Sequence, residues 1–417
     1  MFLSLELRDF LNRSHMMRNK ITEIIAVIVF SLIFIHSAEG ELINLNSDSQ
    51  ISVLTCGPGN QVYSLYGHSA IRVKDPVMKL DVVFNYGVFS FNSGNFVYRF
   101  AKGQTDYMLE PETYSDFYRS YLSKKRSITE QELDLTQNEK QKVCDFLVNN
   151  ARPENRVYRY NFFMDNCSSR IRDVFQKQIN GKLIFNEKKG QGKTFRQHAT
   201  DCQKQIPWLD FSIQLALGSP SDKIASVYSE MFLPEFLHSH FAGAKILKDG
   251  KERLLVKKEN IIIKEEHHNI PFLWKFSPEI VFCILLLIIL GISYLEWKRK
   301  KIKYGADYFL FIITGFIGFG ILWLVIYSEH PSLRPNYNLL WAFPLNLIFI
   351  FMWMKKKWRH FLKLYWPLLS LELILFFIFR SKIPQSFCLS FYFIAGMLLV
   401  RSVLHSLQLF ENKVFDK

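Results

Sequence analysis

Five apolar stretches in the last part of the chain restrict its fold more than any other feature. They cover about Ile280–Leu295, Tyr308–Ser328, Asn338–Met354, Leu364–Phe379 and Phe387–Val400. Each approaches the ~20 residues that a helix needs to cross the hydrocarbon core, the first and fourth falling short without flanking residues or tilt. Lipid offers no partner for backbone N–H and C=O groups, so such segments are expected as helices. Residues 276–405 are therefore expected to form an all-α, five-helix transmembrane domain. Its short loops differ in charge. Lys298, Arg299, Lys300, Lys301 and Lys303 follow the first stretch, and Lys355, Lys356, Lys357 and Arg359 follow the third. The alternate loops carry only Arg334 in one and Arg380 and Lys382 in the other. Basic loops stay in the cytoplasm, so everything before the first stretch lies outside it and residues 406–417 form a cytoplasmic tail.

The N-terminus agrees with this orientation. Arg18 and Lys20 precede the apolar run Ile24–Ile35, and Ala38-Glu39-Gly40 offers small residues for cleavage. That is the pattern of a signal peptide over residues 1–40. The formal net charge of +14 is then largely a topology signal, and no nucleic-acid partner is expected. With 49% apolar and 22% charged residues, the chain is neither disordered nor a coiled coil. Six cysteines are too few for a disulfide scaffold, although two of Cys56, Cys144 and Cys202 could pair.

Residues 41–275 read as one exported domain of mixed strands and helices. Ser69–Val73 and Val82–Tyr86 have strand character, Asp116–Leu122 and Glu130–Asn149 helical character. Lys245–Val256 reads as a hairpin turning at Asp249-Gly250.

Chemistry concentrates at Asp165-Asn166-Cys167-Ser168-Ser169-Arg170. The strand-like run Val157–Met164 precedes it, and a helical pattern with Ile171, Val174, Phe175 and Ile179 on one face follows. Asp165 or Asn166 is a natural N-cap. Cys167 then sits in the first helical turn, where free N–H groups and the helix dipole favour a thiolate. The bland alternative is a small buried cysteine. His68, after Gly67 and at the start of a strand, supplies the imidazole that a thiol nucleophile needs. A third polar group should orient His68. If the two strands pair as a hairpin, Asn85 lies almost opposite His68, with Asp81 as the alternative.

No metal is expected, because His238, His240, His267 and His268 lack matching ligands around them. Glu372 interrupts the fourth stretch, either for function or to face another helix. Arg401 ends the fifth and is expected to snorkel to the interface.

Gly67-His68-Ser69 with a later Asp165-Asn166-Cys167 resembles the circularly permuted papain-like arrangement, an α/β (α+β) fold in which the His strand precedes the Cys helix. Leu54-Thr55-Cys56-Gly57-Pro58-Gly59, Tyr66 to Val73, Phe84-Asn85-Tyr86-Gly87 and Tyr160 to Cys167 resemble the periplasmic domain of Lnb-type lipoprotein N-acyltransferases. His330-Pro331, Asn336, Asn338, Leu340-Trp341 and Pro344 resemble that family's membrane half. The resemblance implies a multi-pass protein of the bacterial inner membrane with its catalytic domain in the periplasm. It implies Cys167 as nucleophile, His68 as acid and base, a phospholipid as acyl donor and diacylated lipoproteins as acceptors, with no cofactor. His330, Arg334, Asn336 and Asn338, in the loop on the same side as Cys167, are the expected headgroup-binding residues. A cell-wall amidase or lipid hydrolase with the same Cys-His pair is the rival enzyme, and a membrane receptor or scaffold the rival without chemistry.

Overall fold

The computed structural model describes residues 43–89, 95–264, 276–347 and 358–415. The expected signal peptide, residues 1–40, and His267-His268 lie outside the described residues.

Seven antiparallel strands form the main sheet, in the order β10-β5-β1-β2-β3-β4-β6. These are β1 (Gln50–Cys56), β2 (His68–Asp75), β3 (Leu80–Val88), β4 (Asp106–Thr113), β5 (Ile128–Leu133), β6 (Val157–Arg159) and β10 (Val256–Ile263). A smaller sheet joins β7 (Lys182–Ile184), β8 (Lys245–Lys248) and β9 (Lys251–Leu254). The same domain carries helices α1 (Phe96–Ala101), α2 (Tyr114–Ser123), α3 (Gln137–Asn150), α4 (Cys167–Gln178), α5 (Phe195–Gln203), α6 (Pro207–Ala216), α7 (Val227–Glu230) and α8 (Pro234–Ala242).

The β2–β3 hairpin sets the register that matters for the site. Asp75 closes the turn, its Oδ1 accepting from the backbone N–H of Val77 and Met78 at 3.0 Å each. Ile71 then pairs with Phe84, so one further step brings Ala70 opposite Asn85. His68 and Asn85 thereby share a face, because residues two apart on a strand point the same way. The expected hairpin at Asp249-Gly250 is also present, with both residues at positive φ (50° and 77°), as a tight two-residue turn requires.

Residues 130–133, expected as the start of a helix, are strand instead. Ile128, Glu130, Gln131 and Leu133 are buried as β5 pairs with β1 and β10. The helix starts only at Gln137, where Thr136 and Glu139 form a capping box.

The C-terminal region is helical: α9 (Pro278–Lys298), α10 (Gly305–Tyr327), α11 (Arg359–Phe379) and α12 (Leu389–Phe415). Among the described residues three helices are long and apolar enough to cross a membrane: Pro278–Lys298, Gly305–Tyr327 and Leu389–Leu409. The third expected stretch does not begin as a helix. Tyr337–Leu340 is a single 3-10 turn followed by further turns, and helix resumes only at Asn346, before residues 348–357, which lie outside the description. Asn338 imposes this break: it is fully buried and takes the indole N–H of Trp341 on its Oδ1 at 3.0 Å. The expected tail after residue 405 continues α12 as far as Phe415.

Arg401 does not snorkel. It is fully buried among three helices, bound to Asp307 (2.5 and 2.9 Å), Glu296 (2.7 Å) and Ser293 (3.1 Å). His405 Nε2 meets the same Asp307 at 2.8 Å. Two carboxylates within reach make burial cheaper than extension to the interface.

Candidate active site

Helix α4 begins at the thiol because Asn166 stops the preceding chain. Its Oδ1 accepts the N–H groups of Ser168 and Ser169 at 3.0 Å each, while Ser169 Oγ takes the Asn166 N–H at 2.8 Å. The Asn166 side-chain amide is tied to the carbonyls of Phe162 (2.7 Å) and Phe232 (2.8 Å), which fixes the cap in the core. Ile171, Val174 and Phe175 bury the far side of the helix. Cys167 is left half-buried at the first helical position.

Around it the sheet gathers a line of side chains. His68 Nε2–H donates to Asn85 Oδ1 at 3.1 Å, and Asn85 Nδ2 donates to Glu112 Oε1 at 2.6 Å. The second bond fixes the amide, so its oxygen must face the imidazole. Nε2 therefore carries the proton, and Nδ1 is the nitrogen left for the thiol. Asp81 is engaged elsewhere: both its oxygens hold Arg72 at 2.7 Å, and Arg72 also reaches Glu130 at 3.0 Å.

The electrostatics single out one thiol. Burial pushes Cys56 up to about 12, Cys144 to about 11 and Cys202 to about 12. Burial acts on Cys167 too, but the charge and hydrogen bond of His68, the backbone N–H of Ser69 and the Ser168 hydroxyl outweigh it and hold this thiol below its ordinary value. None of the six cysteines is paired. Burial raises Glu112 against the Asn85 hydrogen bond and the His68 charge, which both favour its ionised form.

Two residues that sequence reasoning missed belong to this neighbourhood. Glu112 comes from β4, where Asn85 pairs with Glu110, so Glu112 stands diagonal to Asn85 on the same face. Tyr158, on β6, is buried, and its hydroxyl has no hydrogen-bond partner among the described residues. The Arg170 guanidinium lies 3.5 Å from the Tyr158 ring centre and is itself held by Asp165 at 2.6 and 2.8 Å. Burial and the neighbouring Cys167 keep the phenol protonated, well above its usual range. Gly87 opens the space between them. It sits at φ +89° in a bulge of β3, and a Cβ there would lie 3.7 Å from Cys167 Cβ and 3.9 Å from Tyr158 Oη. A side chain at Gly87 would be strained and would fill the notch beside the thiol.

The loop residues expected to bind a headgroup make hydrogen bonds to other elements. Asn336 Nδ2 donates to the carbonyls of Leu215 (2.9 Å) and Ala216 (3.0 Å), and Asn338 Nδ2 to those of Gln214 and Leu215 (3.2 Å each). Both therefore cap the C-terminal end of α6, whose last carbonyls have no partner within the helix. His330 Nε2–H donates to the carbonyl of Phe100 at 2.9 Å, and Ser328 Oγ to that of Ala101 at 2.7 Å. Arg334 is exposed. Three of the four thus sew the helical region to the sheet domain, and their hydrogen bonds run to other elements than the Cys167 group. His238 and His240, weighed above as metal ligands, face Glu259 (3.2 Å) and Glu230 (3.1 Å).

Residues 43–201 match the family model for the Lnb N-terminal periplasmic domain, and residues 268–413 match that for the Lnb transmembrane domain. No curated protein and no solved structure matches the chain. Both domains are present, in order and over well more than half of the length, so the chain belongs to the Lnb family of lipoprotein N-acyltransferase-like membrane proteins with a periplasmic domain.

Proposed function

We infer that this protein is a phospholipid-dependent lipoprotein N-acyltransferase of the bacterial inner membrane working through a thioester on Cys167. The observation that carries this reading is the line Cys167–His68–Asn85–Glu112, with the single depressed thiol at its head. His68 Nδ1 takes the thiol proton. The thiolate attacks the ester carbonyl of a phospholipid, forming the C–S bond. Collapse of the tetrahedral intermediate breaks the ester C–O bond, and His68 returns the proton to the departing lysophospholipid oxygen. The free α-amino group of a diacylglyceryl-Cys lipoprotein then attacks the thioester, His68 accepts the amine proton, and the thiolate leaves. Asn85 is a positioning residue that keeps Nδ1 toward sulfur, and Glu112 holds Asn85.

Both tetrahedral intermediates carry an oxyanion, which a preorganised donor stabilises. Tyr158 suits this role: its hydroxyl is protonated, unpartnered among the described residues, and beside the notch at Gly87. The fold that supports the site is a permuted papain-like domain. Five spans follow in this reading: the three described above, α11, and the third apolar stretch of the sequence, whose later part lies outside the described residues. Phospholipid chemistry agrees with attachment to a membrane, which a soluble cell-wall substrate does not require.

The test is a Cys167→Ala variant in cells, read by mass spectrometry of a lipoprotein's N-terminal peptide. Wild-type chain should yield the N-acylated peptide, and the variant, accumulating normally, only the diacylated one. Normal N-acylation in the variant refutes the thioester route. A cleaved muropeptide product from the wild type, without acyl transfer, assigns the same thiol to an amidase.

A further inference from the structure

Where α11 ends and α12 begins, the helical region meets the sheet domain around a pocket of about 830 Å³. Its walls come from the turn Ser219–Asp222 with Lys223, from Pro335, and from the α11–α12 connection. Asp222 and Ser386 form part of the seam: Asp222 Oδ1 accepts the Ser386 backbone N–H at 3.1 Å.

The charge inside is one-sided. Lys223 and Arg380 both line the pocket, both are exposed, and neither pairs with a carboxylate among the described residues. The carboxylate in the wall, Asp222, is already committed to Arg196, whose guanidinium meets it at 3.0–3.1 Å and is itself buried. Two cations therefore face the space without a counter-ion. Apolar side chains line it as well: Ile383, Phe387 and Tyr392, with the Arg380 guanidinium 5.6 Å from the Tyr392 ring centre. Below them the lipid-facing side chains of α11 continue, Ile378 and Phe379 being exposed.

We propose that this pocket binds the phosphate of an anionic membrane phospholipid, clamping the seam between the two domains. A headgroup of this kind matches each wall: phosphate oxygens for Lys223 and Arg380, glycerol beside Ser386, and acyl chains along the exposed apolar side chains of α11. The volume falls within the range of small-molecule sites. A zwitterionic headgroup brings an ammonium as well, which finds no free carboxylate here, so the site discriminates in favour of net negative lipids. The residues are distinct from the Cys167–His68–Asn85–Glu112 line, and lipid retention is read without acyl transfer. A phospholipid held as acyl donor at Cys167 is common to all variants, so the outcome is the difference between wild type and the alanine variants.

The test uses the full chain, purified in detergent and stripped of lipid. Retention is measured by native mass spectrometry, and thermal unfolding with phosphatidylglycerol, phosphatidylcholine or inorganic phosphate added. Wild-type chain should retain and be stabilised by phosphatidylglycerol, and by the other two far less. Each of Lys223→Ala and Arg380→Ala should weaken retention about fivefold, as expected for one cation at a charged lipid surface, and Arg380→Lys should restore most of it. Both residues are exposed, so the variants should keep wild-type unfolding in lipid-free detergent. Equal retention by wild type and the double alanine variant overturns the proposal. So does an equal loss of phosphatidylcholine and phosphatidylglycerol retention in the alanine variants. Stabilisation by inorganic phosphate as large as by lipid overturns the lipid assignment and makes this a soluble-phosphate site.

Discussion

Tyr158→Phe separates catalysis from folding more cleanly than any other single change. It removes one oxygen from a side chain whose ring stays in place under the Arg170 guanidinium. The hydroxyl has no partner among the described residues, and an unsatisfied buried polar group costs about 1–3 kcal/mol. Deleting it should therefore leave stability unchanged or raise it by that amount. An oxyanion donor, in contrast, contributes about 3–4 kcal/mol in the transition state, a factor of about 10²–10³ in rate. Both half-reactions pass through an oxyanion, so both should slow by a similar factor. Single-turnover assays with a chain-labelled phospholipid measure the first step as hydroxylamine-sensitive label on Cys167. Chasing the isolated thioester with a diacylated lipopeptide measures the second. Wild-type rates in Tyr158→Phe would refute the role assigned to the hydroxyl. A fall in stability with proportionate loss of rate would make the residue structural.

Asn85→Ala frees the imidazole that lowers the Cys167 pKa, and a misplaced base costs about 10²-fold in rate. The thiol pKa should move up, so the pH profile of Cys167 alkylation by iodoacetamide should shift to higher pH, with reactivity lost first on the acid side. An unmoved profile would detach Asn85 from His68. Asn338→Ala leaves the buried indole N–H of Trp341 without its partner, while the carbonyls of Leu215 and Gln214 keep Asn336 and Arg196, a loss on the order of 1–3 kcal/mol. Unfolding in detergent should occur earlier while alkylation of Cys167 stays as in wild type. Unchanged stability with slowed thioester formation would instead return this loop to headgroup binding.

The thiol helix was legible in the sequence because its signals are local. An Asn cap, a cysteine and an amphipathic run lie within a few residues. The pairing of His68 with Asn85 was nearly as accessible, since hairpin register follows from a short turn. Glu112 was not, because it arrives from a third strand, 27 residues beyond Asn85, in a stretch with other exposed acids. Tyr158 looked like one aromatic among several in Val157–Met164. Its distinguishing property is a missing partner, which no sequence displays. Glu130-Gln131-Glu132 favoured helix by propensity, but pairing on both edges of β5 overrode that preference. The Asn residues of the last loop were recognisable as special, yet their targets lie about 120 residues away on α6.

The buried Arg401 cluster has a consequence for biogenesis. Its partners Asp307 and Glu296 are 94 and 105 residues earlier in the chain. Burying an unaccompanied guanidinium costs several kcal/mol, which the two carboxylates at the facing ends of α9 and α10 offset. The last helix can therefore settle at full depth only after α9 and α10 are waiting for it. Insertion of the C-terminal segment brings the guanidinium to two acids already in place, so a chain truncated before Arg401 would leave Glu296 and Asp307 without it at the facing ends of α9 and α10.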